Sequence, residues 1–123
     1  MTKGEALYEF FSSFGLDAYA SSAVPEDVTF PYLTYDSVVD TWGSAPVSIA
    51  VNLWFYTESE AIPNAKAQRI SEAIGMGGKM LPCDGGAIWI TRGSPWCQNL
   101  MDDTAANIKR RYLNVTAEYL TMN

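Results

Sequence analysis

The sequence predicts a two-layer α+β fold: a mainly antiparallel, four-stranded sheet with two helices packed on one face. Three observations carry that expectation. First, Val47, Ile49, Val51, Leu53 and Phe55 alternate with Ser48, Ala50, Asn52, Trp54 and Tyr56. A period of two puts one aliphatic row on one face of a strand. Second, Pro63 is followed by Ala67, Ile70, Ala73 and Ile74 at helical spacing, while Lys66, Gln68, Arg69, Ser71 and Glu72 can face water. Third, Leu113, Val115, Ala117 and Tyr119 alternate with Arg110, Tyr112, Asn114, Thr116 and Glu118, as in an antiparallel strand with one wet face. An apolar sheet face followed by a matching helix stripe closes a two-layer core.

At 123 residues the chain suits a single domain, 1–123, with a core of its own. A hydrophobic content of 48% sets it apart from disordered compositions. No apolar run is long enough to span a bilayer. Residues 1–5 lead into an amphipathic pattern rather than a signal sequence, so a soluble product of the cytoplasm is expected. Fourteen acids against eight bases give a net charge of −6, which argues against a grip on nucleic-acid phosphates. An acidic wall would instead repel DNA passing nearby.

The elements follow in chain order. Residues 2–14 form a helix: Leu7, Phe10, Phe11 and Phe14 make its stripe, and Thr2 with Glu5 matches a capping box. Gly15 ends it. Residues 16–30 read as a long connection, with room for a short extended piece near residues 18–20; a connection of that length suits a contact arm or a plain surface loop. Residues 30–39 open the sheet, with Pro31 restricting them to a strand start or an edge. Residues 40–44 are a polar connector into the long strand, and Trp42 at its tip either folds back onto the sheet or meets another molecule. The second helix starts near Pro63, which fits a first turn, and stops at Gly75.

Residues 75–82 contain three glycines and Lys79 but not the order a phosphate-binding loop needs: a helix precedes them, and Met80 rather than Ser or Thr follows the lysine. Residues 84–86 are a turn, and residues 87–91 a short third strand rich in β-formers. Arg92-Gly93-Ser94-Pro95 should break it. Within residues 96–106, Asp102-Asp103 lacks the spaced acids and glycine of a calcium loop and reads as solvated acids. Lys109-Arg110-Arg111, the one basic cluster, is either solvated or meets an acidic partner or phosphate. Asn114-Val115-Thr116 is a glycosylation sequon, meaningful only in a secreted protein. The expected order is helix, strand, strand, helix, strand, strand.

No catalytic set emerges. The chain has no histidine, the commonest general base and transition-metal ligand. Cys83 and Cys97 lack further soft ligands for zinc and read as reduced packing residues. The acid pairs Glu58 with Glu60 and Asp102 with Asp103 sit in polar turns. Neither a cofactor nor a metal is expected.

Several segments carry a resemblance. Val24-Pro25 leads to Phe30-Pro31-Tyr32-Leu33-Thr34-Tyr35; the long strand ends Asn52-Leu53-Trp54-Phe55-Tyr56. The helix contains Ala65-Lys66-Ala67-Gln68-Arg69-Ile70. Trp89-Ile90-Thr91-Arg92-Gly93-Ser94-Pro95 and Ile108-Lys109-Arg110-Arg111-Tyr112-Leu113-Asn114-Val115 follow. In this order, over nearly the whole length, the chain resembles the tail terminator (tail completion) proteins of long-tailed bacteriophages and prophages, especially those of Gram-positive hosts. The resemblance implies a non-catalytic α+β subunit, made in the host cytoplasm and found in the virion neck. It implies a ring of copies, usually a hexamer, on the head-proximal end of the tail tube. Such a ring stops tube polymerisation and joins the head–tail connector while DNA passes through its hole. A ring needs a heterologous interface that closes. Aromatic residues dominate interface hot spots, so Tyr32, Trp42, Trp54 and Trp96, with the arm from Asp17 to Asp27, are the candidate contact groups. Two other classes stay open: another neck adaptor such as a head-completion protein, and a small cytoplasmic ligand-binding domain.

Overall fold

The computed structural model describes residues 1–101 and 105–123. The elements run α1 (Lys3–Ser12), β1 (Asp17–Ala20), β2 (Tyr32–Tyr35), β3 (Val47–Tyr56), α2 (Ala61–Ile74), β4 (Lys79–Cys83), β5 (Gly86–Met101) and β6 (Ile108–Thr121). They form one six-stranded sheet in the order β1-β2-β3-β6-β5-β4. This corrects the expected four-stranded antiparallel sheet and its α-β-β-α-β-β order. The sheet is mixed, because β1 pairs parallel with β2 while the other pairings are antiparallel.

Each departure has a physical cause. β1 is four residues long and half alanine, so its own sequence gives little strand signal. It is held by β2, with Ala18 opposite Leu33. β4 contains Pro82, which a central strand would exclude; it is tolerated because β4 is an edge. The expected break at residues 92–95 is instead a bulge. The β5–β6 register shifts between Arg92 and Cys97 and then resumes to Met101. Asn114 Nδ2 donates to the Pro95 carbonyl at 2.6 Å across the bulge. Opposite that interruption β6 continues unbroken, so the ladder re-forms beyond the extra residues. The expectation for Asp102 and Asp103 lies outside the described residues.

The core occupies the inner face of the sheet. Ile49, Val51, Leu53 and Phe55 of β3 and Leu113, Val115, Ala117 and Tyr119 of β6 are buried there with Leu7, Phe10 and Phe11 of α1 and Ala67, Ile70 and Ile74 of α2. α1 begins with a complete capping box: Thr2 Oγ1 accepts from the Glu5 N–H at 3.1 Å, and Glu5 Oε1 accepts from the Thr2 N–H at 2.9 Å. Those two bonds satisfy donors a helix start otherwise leaves open. They also hold the Glu5 carboxyl below its usual range. α2 has no such cap; its first turn is anchored from the sheet instead.

α1 touches β1 and β4, the two opposite edges of the sheet. Five strand spacings separate those edges, about 24 Å if the sheet were flat, and a helix with side chains is only about 10 Å wide. The sheet therefore curls around α1. Its outer face is convex and open, while its two lateral margins turn toward the helix.

Candidate interaction surfaces

The connection between β2 and β3 is tied down along its length. The Asp36 N–H donates to the Ala50 carbonyl at 3.0 Å and the Trp42 N–H to the Thr121 carbonyl at 2.9 Å. Tyr119 Oη donates to the Val38 carbonyl. Lys3 Nζ donates to the Asp40 carbonyl at 2.7 Å, and Ser44 Oγ closes a turn on the Thr41 carbonyl at 2.6 Å. Burial among apolar neighbours pushes the Tyr119 hydroxyl up to about 12, so it stays a donor at any ordinary pH. This clasp fixes backbone while leaving Trp42 67% and Val39 56% exposed. Trp42 does not fold back onto the sheet. A groove of about 420 Å³ is lined by Thr2, Lys3, Gly4, Val39, Asp84 and Asn123.

A second surface is the outer face near β1, β2 and β3. Tyr32 stands opposite Trp54 in the β2–β3 register, and the rings stack at 6.0 Å and 15°. Phe30 lies 5.3 Å from Tyr32 and 6.0 Å from Tyr56, and Tyr19 lies 6.3 Å from Tyr32. Arg110, across from Trp54 on β6, sets its guanidinium 4.9 Å from the indole centre and donates from Nε to Asn52 Oδ1 at 2.8 Å. Trp54 Nε1 donates to Thr34 Oγ1 at 3.2 Å. The rings are fixed by stacking, a cation–π contact and hydrogen bonds. Tyr56 at the rim is 63% exposed.

The candidate contact residues thus divide. Tyr32 and Trp54 come together on the outer face, with exposed Asp17 beside them, opposite Tyr32 in the β1–β2 register. Asp27 is exposed on the connection between β1 and β2, and Trp42 stands apart at the clasp. Trp96 packs against the core, and its indole nitrogen is buried with no hydrogen-bond partner among the described residues. Its ring is half-buried rather than standing out on the surface.

The basic cluster also divides, because its neighbours point to opposite faces. Arg111 is 1% exposed, on the core side of β6. Its Nε donates to Asn64 Oδ1 at 2.8 Å, and its Nη2 pairs with Glu60 Oε2 at 2.9 Å. Lys109 lies 3.5 Å from the same carboxylate. These contacts anchor the start of α2, and neither a solvated cluster nor a phosphate site remains. The signal was present: Arg111 shares the parity of Leu113 and Val115. Ser71, expected to face water, is buried and accepts from Arg92 Nη1 at 2.8 Å.

The cysteines are free and half-buried. Cys83 pairs with Gly86, opposite Thr121, whereas Cys97 stands opposite Leu113; about 27 Å of β6 separates those registers. Burial pushes the Cys97 thiol up despite the nearby Arg111 charge, which leaves it a weak nucleophile. No helix is long and apolar enough to cross a membrane among the described residues. No protein-family model matches this sequence, and no curated protein matches it.

Proposed function

We propose that this chain is a virion structural subunit that caps the head-proximal end of a phage tail tube. As a ring of copies, it ends tube growth and presents the surface that joins the head connector. DNA passes through the ring without sequence-specific binding, and the subunit acts by shape rather than by transforming a substrate. The observation that carries this reading is the clasp. A tryptophan two-thirds exposed, on backbone held by bonds to β3, β6 and α1, has the form of a pre-ordered anchor. The resemblance in order of segments supplies the identity of the assembly.

The test is tube length. Tail-tube protein polymerised with the chain present should give capped tubes of limited length. Trp42→Ala should lose most of that effect while shifting fold stability by no more than about 0.5 kcal/mol, as for an exposed substitution. Tubes that grow to the same lengths with and without the wild-type chain would rule the reading out.

A further inference from the structure

β4 is an edge strand with α1 beside it, and its backbone divides by parity. Cys83 pairs with Gly86, and Asp84 and Gly85 alone join them, so these partners close the hairpin by exchanging bonds. Lys79 and Leu81 share that parity and bond to β5. Met80 and Pro82 therefore turn their backbone groups away from the sheet. The same parity shows at both ends of the strand. The Gly78 N–H donates to the Gly75 carbonyl at 3.3 Å, and the Asp84 N–H donates to the Met1 carbonyl at 2.7 Å. Between these closed ends, the Met80 N–H and the Met80 and Pro82 carbonyls have no partner among the described residues. A groove of about 360 Å³ lies between the two elements, lined by Ala6, Glu9 and Phe10 of α1 and by Lys79, Met80 and Leu81 of β4. At the other margin of the sheet, residues 24–29 belong to the connection from β1 to β2. They make no hydrogen bond to any described residue, and Pro25, Glu26, Asp27 and Thr29 are exposed.

We propose that this arm of one copy adds a short antiparallel strand to β4 of another, with Val28 opposite Met80 and Glu26 opposite Pro82. The proposal rests on the self-assembling reading above and names its contact. Backbone bonds give strand addition its affinity, and alternate side chains give it a choice of partner. The open edge requires one residue that both donates and accepts, and a further donor on the same side of the strand. Val28 meets the first need at Met80, and the Glu26 N–H meets the second at the Pro82 carbonyl. Pro25 then falls opposite Cys83, whose backbone turns toward β5, so its missing N–H costs nothing. Parity sets Val28 beside Met80 on the outer face. It sets Asp27 on the groove side, diagonal to Lys79 and within reach of its ammonium. Lys79 is exposed, and neither its ammonium nor the Glu26 and Asp27 carboxylates bond to a described residue. Glu9, on the α1 wall of the groove, repels the acids of the arm toward that lysine. The closed ends of β4 and its proline limit the added strand to a short one, which the arm provides.

Sedimentation velocity and amide hydrogen exchange of the full chain, over a concentration series, test the contact. The wild type should associate, and association should slow exchange at the Met80 and Val28 amides together. Val28→Pro, which removes the donor to Met80, should stay monomeric where the wild type associates. Circular dichroism melts confirm that each variant folds. Asp27→Lys should weaken association about tenfold, as expected for one good polar contact, and adding Lys79→Asp should restore it. Wild-type chain that stays monomeric at millimolar concentration overturns the proposal. So does an oligomer whose Met80 amide exchanges as fast as in the monomer, Val28→Pro assembling like the wild type, or a charge swap that restores nothing. Arms exchanged reciprocally would stop at dimers, which keeps this contact and sinks the ring. Variants that assemble and cap tubes normally sink this contact alone. An arm-dependent ring that leaves tube length unchanged sinks the tail reading alone.

Discussion

Arg111 shows how one residue can serve the fold from an unexpected place. Its stem lies among core side chains while its guanidinium reaches the start of α2. Arg111→Ala should cost about 3 kcal/mol, from lost packing and charge-assisted bonds. Glu60→Ala should cost only about 1 kcal/mol, because Glu60 is 58% exposed and water can replace it. Urea titration of both variants checks the ranking. Gly86 makes a stricter demand. Its φ is +152°, and an added Cβ would lie 2.0 Å from the Leu120 carbonyl oxygen. Gly86→Ala should therefore destabilise by more than about 2 kcal/mol, because backbone on both strands must move. Tyr119 titrates at about 12 in the folded chain against 10.0 for the free group. The folded state thus keeps a proton that the unfolded chain releases. The stabilisation is complete below pH 10 and is lost as pH rises through about 12. An alkaline melt should steepen across that window. Tyr119→Phe should flatten it, at a cost of about 1 kcal/mol at neutral pH for the lost bond to Val38.

Among the elements, the two helices are held in different ways. α1 carries its own start signal, and Thr2→Ala should cost about 1 kcal/mol in thermal or chemical melts by opening the capping box. α2 has no side-chain cap; β6 supplies its anchor. The strands differ too. β3 and β6 are long, alternating and mutually paired from Val47 opposite Ala117 to Tyr56 opposite Ile108. β1 and β4 exist through their neighbours: one is short and alanine-rich, the other starts at a lysine and includes a proline. β5 keeps its direction through Gly93 and Pro95 because β6 runs unbroken beside it and Asn114 bonds across the bulge.

For the molecule as a whole, the curl of the sheet governs how the chain can meet other molecules. Turning both margins toward α1 sets that helix beside each edge strand and leaves no flat edge, the form that most readily recruits further strands. Apolar contact then falls to the convex face and to the clasp at one end. The clasp joins segments far apart in sequence: Lys3, Asp40, Trp42 and Tyr119, with Asn123 beside Lys3. An anchor supported by both ends of the described chain should move as one body with the core. Trp42→Ala is accordingly expected to affect assembly and to spare the fold.

Local pattern determined α1, α2, β3 and β6, since each repeats its period often enough to define a buried face and three of them bury nearly every residue of their apolar stripe. It also held the clue to Arg111 in the parity of β6. It could not determine β1, β4 or the continuation of β5. A strand with few apolar positions is stabilised by backbone bonds to its neighbour, and those depend on which neighbour arrives. Nor could composition separate Trp42, standing out on the surface, from Trp96, half-buried against the core. The same side chain serves either purpose, and only the packing of the surrounding elements decides whether water reaches it.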